Sequence, residues 1–234
     1  MKLALIGHGA MGRLVEKLAL DKGHKITYIA DAADADLDES ELAAKLKGAD
    51  AAIDFSSVSG VIRNIKACLA AGVPLVEGTT GWMDDCGALE RLVREQNGGM
   101  VFGANFSIGV NLFYRIVQQA ALLFSDFSEY EIFIEEQHHS RKKDAPSGTA
   151  LKLKHIVEEF ADDVTSVAST RAGNIPGTHR VGFDGPADQV LLTHTARSRE
   201  GFAHGAILAA EWIAGKKGFY AFEEIMDMVI ENGM

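Results

Sequence analysis

Residues 2–12 read KLALIGHGAMG, a short apolar run closed by Gly7, Gly9 and Gly12. In this G-x-G-x-x-G spacing the first glycine permits a tight turn, the second lets backbone approach a pyrophosphate, and the third lets a helix pack against its strand. Glycine-rich turns are common, so the context decides. Met11, Leu14, Val15 and Leu18 form a helical stripe that stops before Gly23, and residues 25–30 have the make-up of a second strand. Asp31 falls at the end of that strand, 19 positions after Gly12, where an acid accepts hydrogen bonds from adenosine ribose hydroxyls. These features predict a βαβ unit for a dinucleotide, with Gly7, His8, Gly9, Ala10, Met11 and Gly12 along the phosphates and Asp31 on the ribose. Ala32 and Ala33 follow Asp31 where an arginine would welcome a 2′-phosphate. The lean is therefore to NADH over NADPH, with His8 and Arg13 as other possible phosphate partners.

Outward from this unit, strand and helix alternate. Residues 51–56 read as a strand, 58–71 as a helix, 73–77 as a strand, 85–96 as a helix and 100–102 as a strand. That alternation predicts an α/β fold, a Rossmann-like doubly wound parallel sheet with helices on both faces. Small or polar residues stand at the strand ends: Ser56 and Ser57, then Thr79 and Thr80 after Gly78, then Ala104 and Asn105 between Gly103 and Phe106. Ligands of such sheets sit at these strand ends. After residue 108 the pattern changes to a long helix over 110–124, a strand over 131–137, a helix after Pro146, and strands near 179–183 and 189–196. This predicts a second, α+β domain over 108–213. The glycine-rich stretch 171–179, RAGNIPGTH, reads as a surface or interface loop. Residues 202–214 and 222–230 look helical, and about 214–234 are expected to return to the first domain, residues 1–107.

The 234 residues carry 33 acidic against 23 basic side chains, a formal net charge of -10, which argues against a nucleic-acid partner. No signal-peptide pattern and no membrane-length apolar run occur, so a cytoplasmic protein without a membrane partner is expected. Cys68 and Cys86 have neither metal-ligand nor disulfide spacing, and no metal is expected. Against this acidic background, residues 135–150 read EEQHHSRKKDAPSGTA. Charge runs are usually solvated faces. Here, however, Leu153, Ile156, Val157 and Phe160 recur at helical spacing, which makes Ser147 an N-cap and Gly148, Thr149 and Ala150 the first turn. First-turn N–H groups lack intrahelical partners and carry the positive end of the helix dipole, a setting for a carboxylate or phosphate. The plainer alternative is that Ser147 and water satisfy them. An extended strand reaching His138 and His139 would point the two imidazoles to opposite faces, giving them different work near neutral pH.

With these motifs placed, the chain resembles the 4-hydroxy-tetrahydrodipicolinate reductase (dihydrodipicolinate reductase) family over essentially its full length. The resemblance rests on GHGAMG, DFS at 54–56, GTTG at 78–81, ANFSIGVN at 104–111, HHSRKKDAPSGTA at 138–150 and RAGNIPGTH. It implies hydride transfer from NADH or NADPH to a cyclic, unsaturated dicarboxylic imine in diaminopimelate and lysine biosynthesis. It further implies that His138 and Lys142 deliver the proton and that His139, Gly148 and Thr149, beside Ser147, bind substrate. Gly78, Thr79, Thr80, Gly103, Ala104, Asn105 and Phe106 would hold the nicotinamide end. Family members resemble homotetramers built through the second domain's sheet. Ser140 stands where many relatives carry a basic residue, with Arg141 and Lys143 as compensating cations. Two rivals remain: another two-domain amino-acid dehydrogenase, such as aspartate dehydrogenase, and a non-catalytic dinucleotide sensor, for which His138 and Lys142 would have no use.

Overall fold

The computed structural model describes residues 1–161 and 166–232. Strand β1 (Lys2–Ile6) is buried after its first residue and runs into the glycine turn. Gly7 adopts φ +87°, and a β-carbon there would lie 2.5 Å from the Phe55 carbonyl oxygen. One at Gly12 would lie 2.0 Å from the Gly7 oxygen, whereas one at Gly9 would meet nothing within 4 Å. The three glycines thus have three reasons: backbone conformation, close packing, and open space. Helix α1 (Ala10–Asp21) starts from Gly9 with no side chain capping its N–H groups.

Strand β2 (Lys25–Ala30) pairs parallel to β1. Helix α2 (Glu39–Leu46), not expected above, is announced by a reciprocal cap: Asp38 accepts the Glu41 N–H and Glu41 accepts the Asp38 N–H, each at 2.9 Å. The D-x-x-E spacing was its sequence signal, and Leu42, Ala43 and Leu46 are its buried face. Then follow β3 (Ala51–Asp54), α3 (Val61–Ala71), β4 (Leu75–Glu77), α4 (Cys86–Glu95) and β5 (Gly99–Phe102).

The second unit comprises α5 (Ile108–Phe124), β6 (Glu131–His138), α6 (Gly148–Glu158), β7 (Val167–Arg171), β8 (Thr178–Asp184) and β9 (Gln189–Thr195). Its described strands lie in the order β7-β6-β8-β9, with β7 parallel to β6 and the other pairs antiparallel. Val110, Phe113 and Val117 of α5 and Leu153 and Val157 of α6 share a core with Ile134, Val181 and Phe183. Strand β7 was not expected, because its burial is slight and its sequence, VASTR, has no apolar alternation. The stretch 171–179 is also less of a loop than expected: Arg171 ends β7, and Thr178 and His179 open β8.

Helix α7 (Glu200–Ile213), strand β10 (Gly218–Ala221) and helix α8 (Phe222–Asn232) belong to the first unit. Ala203, Ala206, Ile207, Ala210 and Ile213 of α7 pack with Leu3, Leu5, Val76 and Val101 of the sheet. The compact units are Met1–Ile108 with Glu200–Met234, and Gly109–Arg199, so the return comes at 200, not at about 214. An apolar stripe shows that a helix is buried but not against which core. Among the described residues the first sheet runs β10-β5-β4-β3-β1-β2, all parallel. Strand order reverses between β1 and β3, the switch point where doubly wound sheets bind ligands.

Gly12→Ala should lower the unfolding free energy by about 1–3 kcal/mol through overpacking, whereas Gly9→Ala should stay within about 0.5 kcal/mol of the parent. Urea unfolding of the two variants measures the difference.

Candidate active site

The first cluster sits at the strand ends of the glycine unit. Gly7 lies under Phe55, just beyond β3, so the open backbone at Gly9 is at the switch point. That space and the uncapped start of α1 fit a pyrophosphate. Asp31 Oδ1 accepts the Ala33 N–H at 2.8 Å, and the Asp31 side chain and Asp34 form a reciprocal cap at the end of β2. His8 pairs with Glu16 at 2.8 Å, and Arg13 donates to the His8 carbonyl at 3.1 Å. Both proposed phosphate partners are thus already engaged. Met11 turns its side chain onto the core, and the Phe106 ring is 2% exposed, packed on Phe55 and Phe222. These two offer a ligand only backbone.

Two buried carboxyls shape the neighbouring loops. Asp54 and Glu77 are register partners on β3 and β4. Asp54 accepts the Ser56 N–H and the Asn64 amide, each at 2.7 Å, and Glu77 accepts the Thr79 N–H at 2.7 Å. Burial, and then the charge of Asp54, push Glu77 well above the usual carboxylate range. Glu77 is therefore the partner that keeps its proton more readily, beside Asp54. The Thr79 carbonyl accepts the Trp82 indole N–H at 2.8 Å. Ser56, Gly78, Thr79 and Thr80 are thus presented on loops whose backbone is pinned from beneath.

The second cluster lies within the other unit. Period-two alternation along β6 sends Ile134, Glu136 and His138 inward. Glu136 is 1% exposed, and its carboxylate accepts the Ser147 N–H at 3.0 and 3.1 Å, the Ser169 hydroxyl at 2.7 Å and Arg171 at 2.6 Å. Burial opposes its ionisation, but these donors outweigh it and hold Glu136 at about 2. Removing Arg171 would strand the charge, at a cost of about 3–5 kcal/mol. His138 and His179 stand 3.3 Å apart between their Nε2 atoms, 3.4 and 3.7 Å from Glu136 Oε2. Burial lowers His138, an effect Glu136 opposes and Lys142 and Arg171 reinforce. His179 is pushed down to about 4, first by burial and then by His138. Both imidazoles are neutral at pH 7.

Ser147 is the N-cap of α6, as its sequence position suggests, with its hydroxyl accepting the Ala150 N–H at 3.2 Å. Its own N–H is spent on Glu136, and the residue is 3% exposed. Its N–H and hydroxyl thus tie the start of α6 to Glu136 and to the helix's own first turn. Gly148 is exposed with nothing within 4 Å of a would-be β-carbon, and Thr149 is half-buried. His139, the first residue after β6, is half-buried. Lys142 Nζ pairs with Asp144 at 2.8 Å, and Arg141 donates to Asn174 at 2.9 Å. The Ser140 N–H donates to the Gly173 carbonyl at 3.2 Å. Glu136, Arg171 and His179 escaped the sequence reading. For Glu136 the signal was available, since it lies in phase with Ile134 and His138; Arg171 and His179 reach it only through sheet pairing.

A doubly wound sheet with a glycine fingerprint at its switch point, in one chain with a mixed-sheet unit holding paired histidines and a helix N-terminus, defines a nicotinamide-dependent oxidoreductase. Residues 1–106 match the family profile described as dihydrodipicolinate reductase, N-terminus, and residues 109–226 the one described as dihydrodipicolinate reductase, C-terminus. The chain belongs to the dihydrodipicolinate reductase family. It is 34% identical to the 4-hydroxy-tetrahydrodipicolinate reductase of Christiangramia forsetii, over 99% of this chain and 100% of that protein. It is 35% identical to the enzyme of the same name from Archaeoglobus fulgidus, over 97% and 100%. Its fold matches the dipicolinate-bound dihydrodipicolinate reductase from Paenisporosarcina sp. TG-14 with a TM-score of 0.81, at 22% identity over 96% of this chain and 99% of that one. Among the described residues, no helix is long and apolar enough to cross a membrane.

His179 titrates near 4 when folded and near its ordinary 6.5 when unfolded. The unfolded chain therefore gains the proton first as pH falls. Its contribution to stability is complete above about pH 6.5 and should drain away toward pH 4, by on the order of 2 kcal/mol. Glu136 acts in a lower window, between its ordinary 4.5 and about 2. Urea unfolding at pH 7 and pH 4.5 should show the His179 loss, and His179→Gln should flatten it; an unchanged slope in that variant would remove the assignment.

Proposed function

We propose that the chain reduces 4-hydroxy-tetrahydrodipicolinate to tetrahydrodipicolinate with NADH or NADPH, a step of diaminopimelate and L-lysine biosynthesis. The observation that carries this reading is local: β6 ends in a buried, neutral His138 under the influence of the Lys142 charge, and α6 opens with an unobstructed Gly148. A cyclic dicarboxylate suits that setting. Loss of water from the hydroxy compound leaves a conjugated imine. A nicotinamide held by the loops after β3, β4 and β5 would supply hydride for the carbon conjugated to that imine, with the electron pair moving to the imine nitrogen.

The resulting enamine needs a proton on carbon. His138 and Lys142 are the proposed sources, with Lys142 already cationic and His138 able to relay. Substrate carboxylates near Lys142 and Arg171 offset the charges that lower His138, which favours its protonated form when the site is filled. His139, Gly148 and Thr149 are proposed to hold the carboxylates through charge-assisted and backbone hydrogen bonds of roughly 1.5–3 kcal/mol each. Ser147 assists by fixing the start of α6.

Gly7, His8, Gly9, Ala10, Met11 and Gly12 would line the pyrophosphate, Asp31 the adenosine ribose, and Gly78, Thr79, Thr80, Gly103, Ala104, Asn105 and Phe106 the nicotinamide end. NADH is the proposed preference, since Asp31 would repel a 2′-phosphate and His8 and Arg13 are engaged elsewhere. A cytoplasmic location is proposed with the reaction. Four copies are proposed to assemble through the second unit's sheet, whose β9 exposes Val190 and Leu191 by 39% and 46%.

With freshly prepared substrate, His138→Ala and Lys142→Ala should each lower kcat by about 10²-fold or more, the usual worth of general acid catalysis. NADH affinity, followed by fluorescence, should hold within about twofold. Equal losses in cofactor binding, or no turnover by the parent protein, would overturn the reading. Asp31→Ser should raise the NADPH-to-NADH ratio of kcat/KM about tenfold, the equivalent of roughly 1.4 kcal/mol; an unchanged ratio would remove Asp31 from the ribose.

A further inference from the structure

No metal was expected from ligand spacing along the chain, but the fold assembles one set of ligand atoms from two strands. Glu136 Oε2, His138 Nε2 and His179 Nε2 form a triangle with edges of 3.3, 3.4 and 3.7 Å, and all three residues are buried. An ion slightly out of the plane of three atoms so separated lies about 2.1 Å from each, within the bond lengths of zinc to imidazole nitrogen or carboxylate oxygen.

The tilt of the rings agrees. Two imidazoles bonded through Nε2 to one tetrahedral ion hold their centroids about 5.2 Å apart, whereas a head-on N–H···N pair at the same nitrogen separation holds them about 5.6 Å apart. The observed separation is 5.1 Å, with the ring planes at 69°. Ser169 and Arg171 hold Glu136 Oε1, while Oε2 faces the imidazoles and accepts the Ser147 N–H at 3.1 Å, an outer-shell arrangement that orients one ligand oxygen; the Ser147 hydroxyl, 3.1 Å from His179 Nε2, would give up that contact to an ion.

We propose that Glu136, His138 and His179 form a reversible binding site for a divalent ion with the preferences of zinc, its fourth position open to water or an external carboxylate. Coordination needs both imidazoles neutral and bonding through Nε2, so a proton held on either Nε2 in the free protein moves to the Nδ1 of that ring. Two features keep the site from being a permanent structural centre. Arg171 places a positive charge 2.6 Å from Glu136, and His179 Nδ1 has no hydrogen-bond acceptor among the described residues. An ion here occupies His138 Nε2 and so stops proton delivery; that consequence rests on the role proposed above for His138, whereas the binding does not.

The test uses the full chain, freed of metal by a chelator and titrated with Co2+, followed by visible d–d absorption and then by Zn2+ competition. One equivalent with the intense bands of four-coordinate cobalt, bleached by zinc, is the expected result. His179→Gln and Glu136→Gln should weaken binding tenfold or more. His155→Ala, which alters the exposed His155–Glu159 pair, should leave it unchanged. Weak six-coordinate absorption, or a titration unaltered in His179→Gln, overturns the proposal. Glu136→Gln also removes a structural charge, so circular dichroism checks its fold, and His179→Gln decides alone if that variant unfolds. Zinc-edge anomalous diffraction from soaked crystals should place a peak between the three atoms; none at saturating zinc overturns the site. Zinc that binds with the full spectral change yet leaves turnover intact counts against His138 in the reaction, not against the site.

Discussion

Glu136 is an ionised carboxylate almost wholly removed from water, and the candidate substrate site is built around keeping it satisfied. Its donors come from separate places: the Ser147 backbone at the start of α6, the Ser169 hydroxyl and Arg171 guanidinium on β7, with two imidazoles from β6 and β8 beside it. Each contact fixes one element against another. The charge costs several kcal/mol to bury unless all of them form. Arg171 also donates to the Asp144 carbonyl at 2.6 Å, which ties the turn carrying Lys142 to the same network. The start of α6 and the neutral His138 are both held in place by it.

The first unit solves a related problem with neutral chemistry. Asp54 and Glu77 bring two carboxyls side by side under the loops after β3 and β4, where two charges would repel. A proton retained on Glu77 removes the repulsion and leaves acceptors for the Ser56 and Thr79 N–H groups. The glycine turn contributes shape. Gly7 and Gly12 are dictated by contacts a side chain would violate, and Gly9 by the room it leaves.

Much of this was legible along the chain. The β1–α1–β2 unit, the parallel sheet and the Ser147 cap follow from local spacing, and the family is marked by its motifs. Helix α2 was legible too, in Asp38 and Glu41. Strand β7 was not, because its residues are ordinary and its stability comes from pairing with β6. Nor was the return at 200, since the apolar face of α7 would suit either core.

The sequence by itself determined the periodic elements, the glycine turn, the helix cap and the residues able to move a proton, because each depends on neighbours a few positions away. Only the tertiary structure decided that Ser147 spends its N–H on Glu136, that Glu77 is protonated beside Asp54, and that His179 joins His138. Those outcomes depend on burial and on distances between strands distant in the chain. Burial sets which charges survive, and strand register sets which side chains meet.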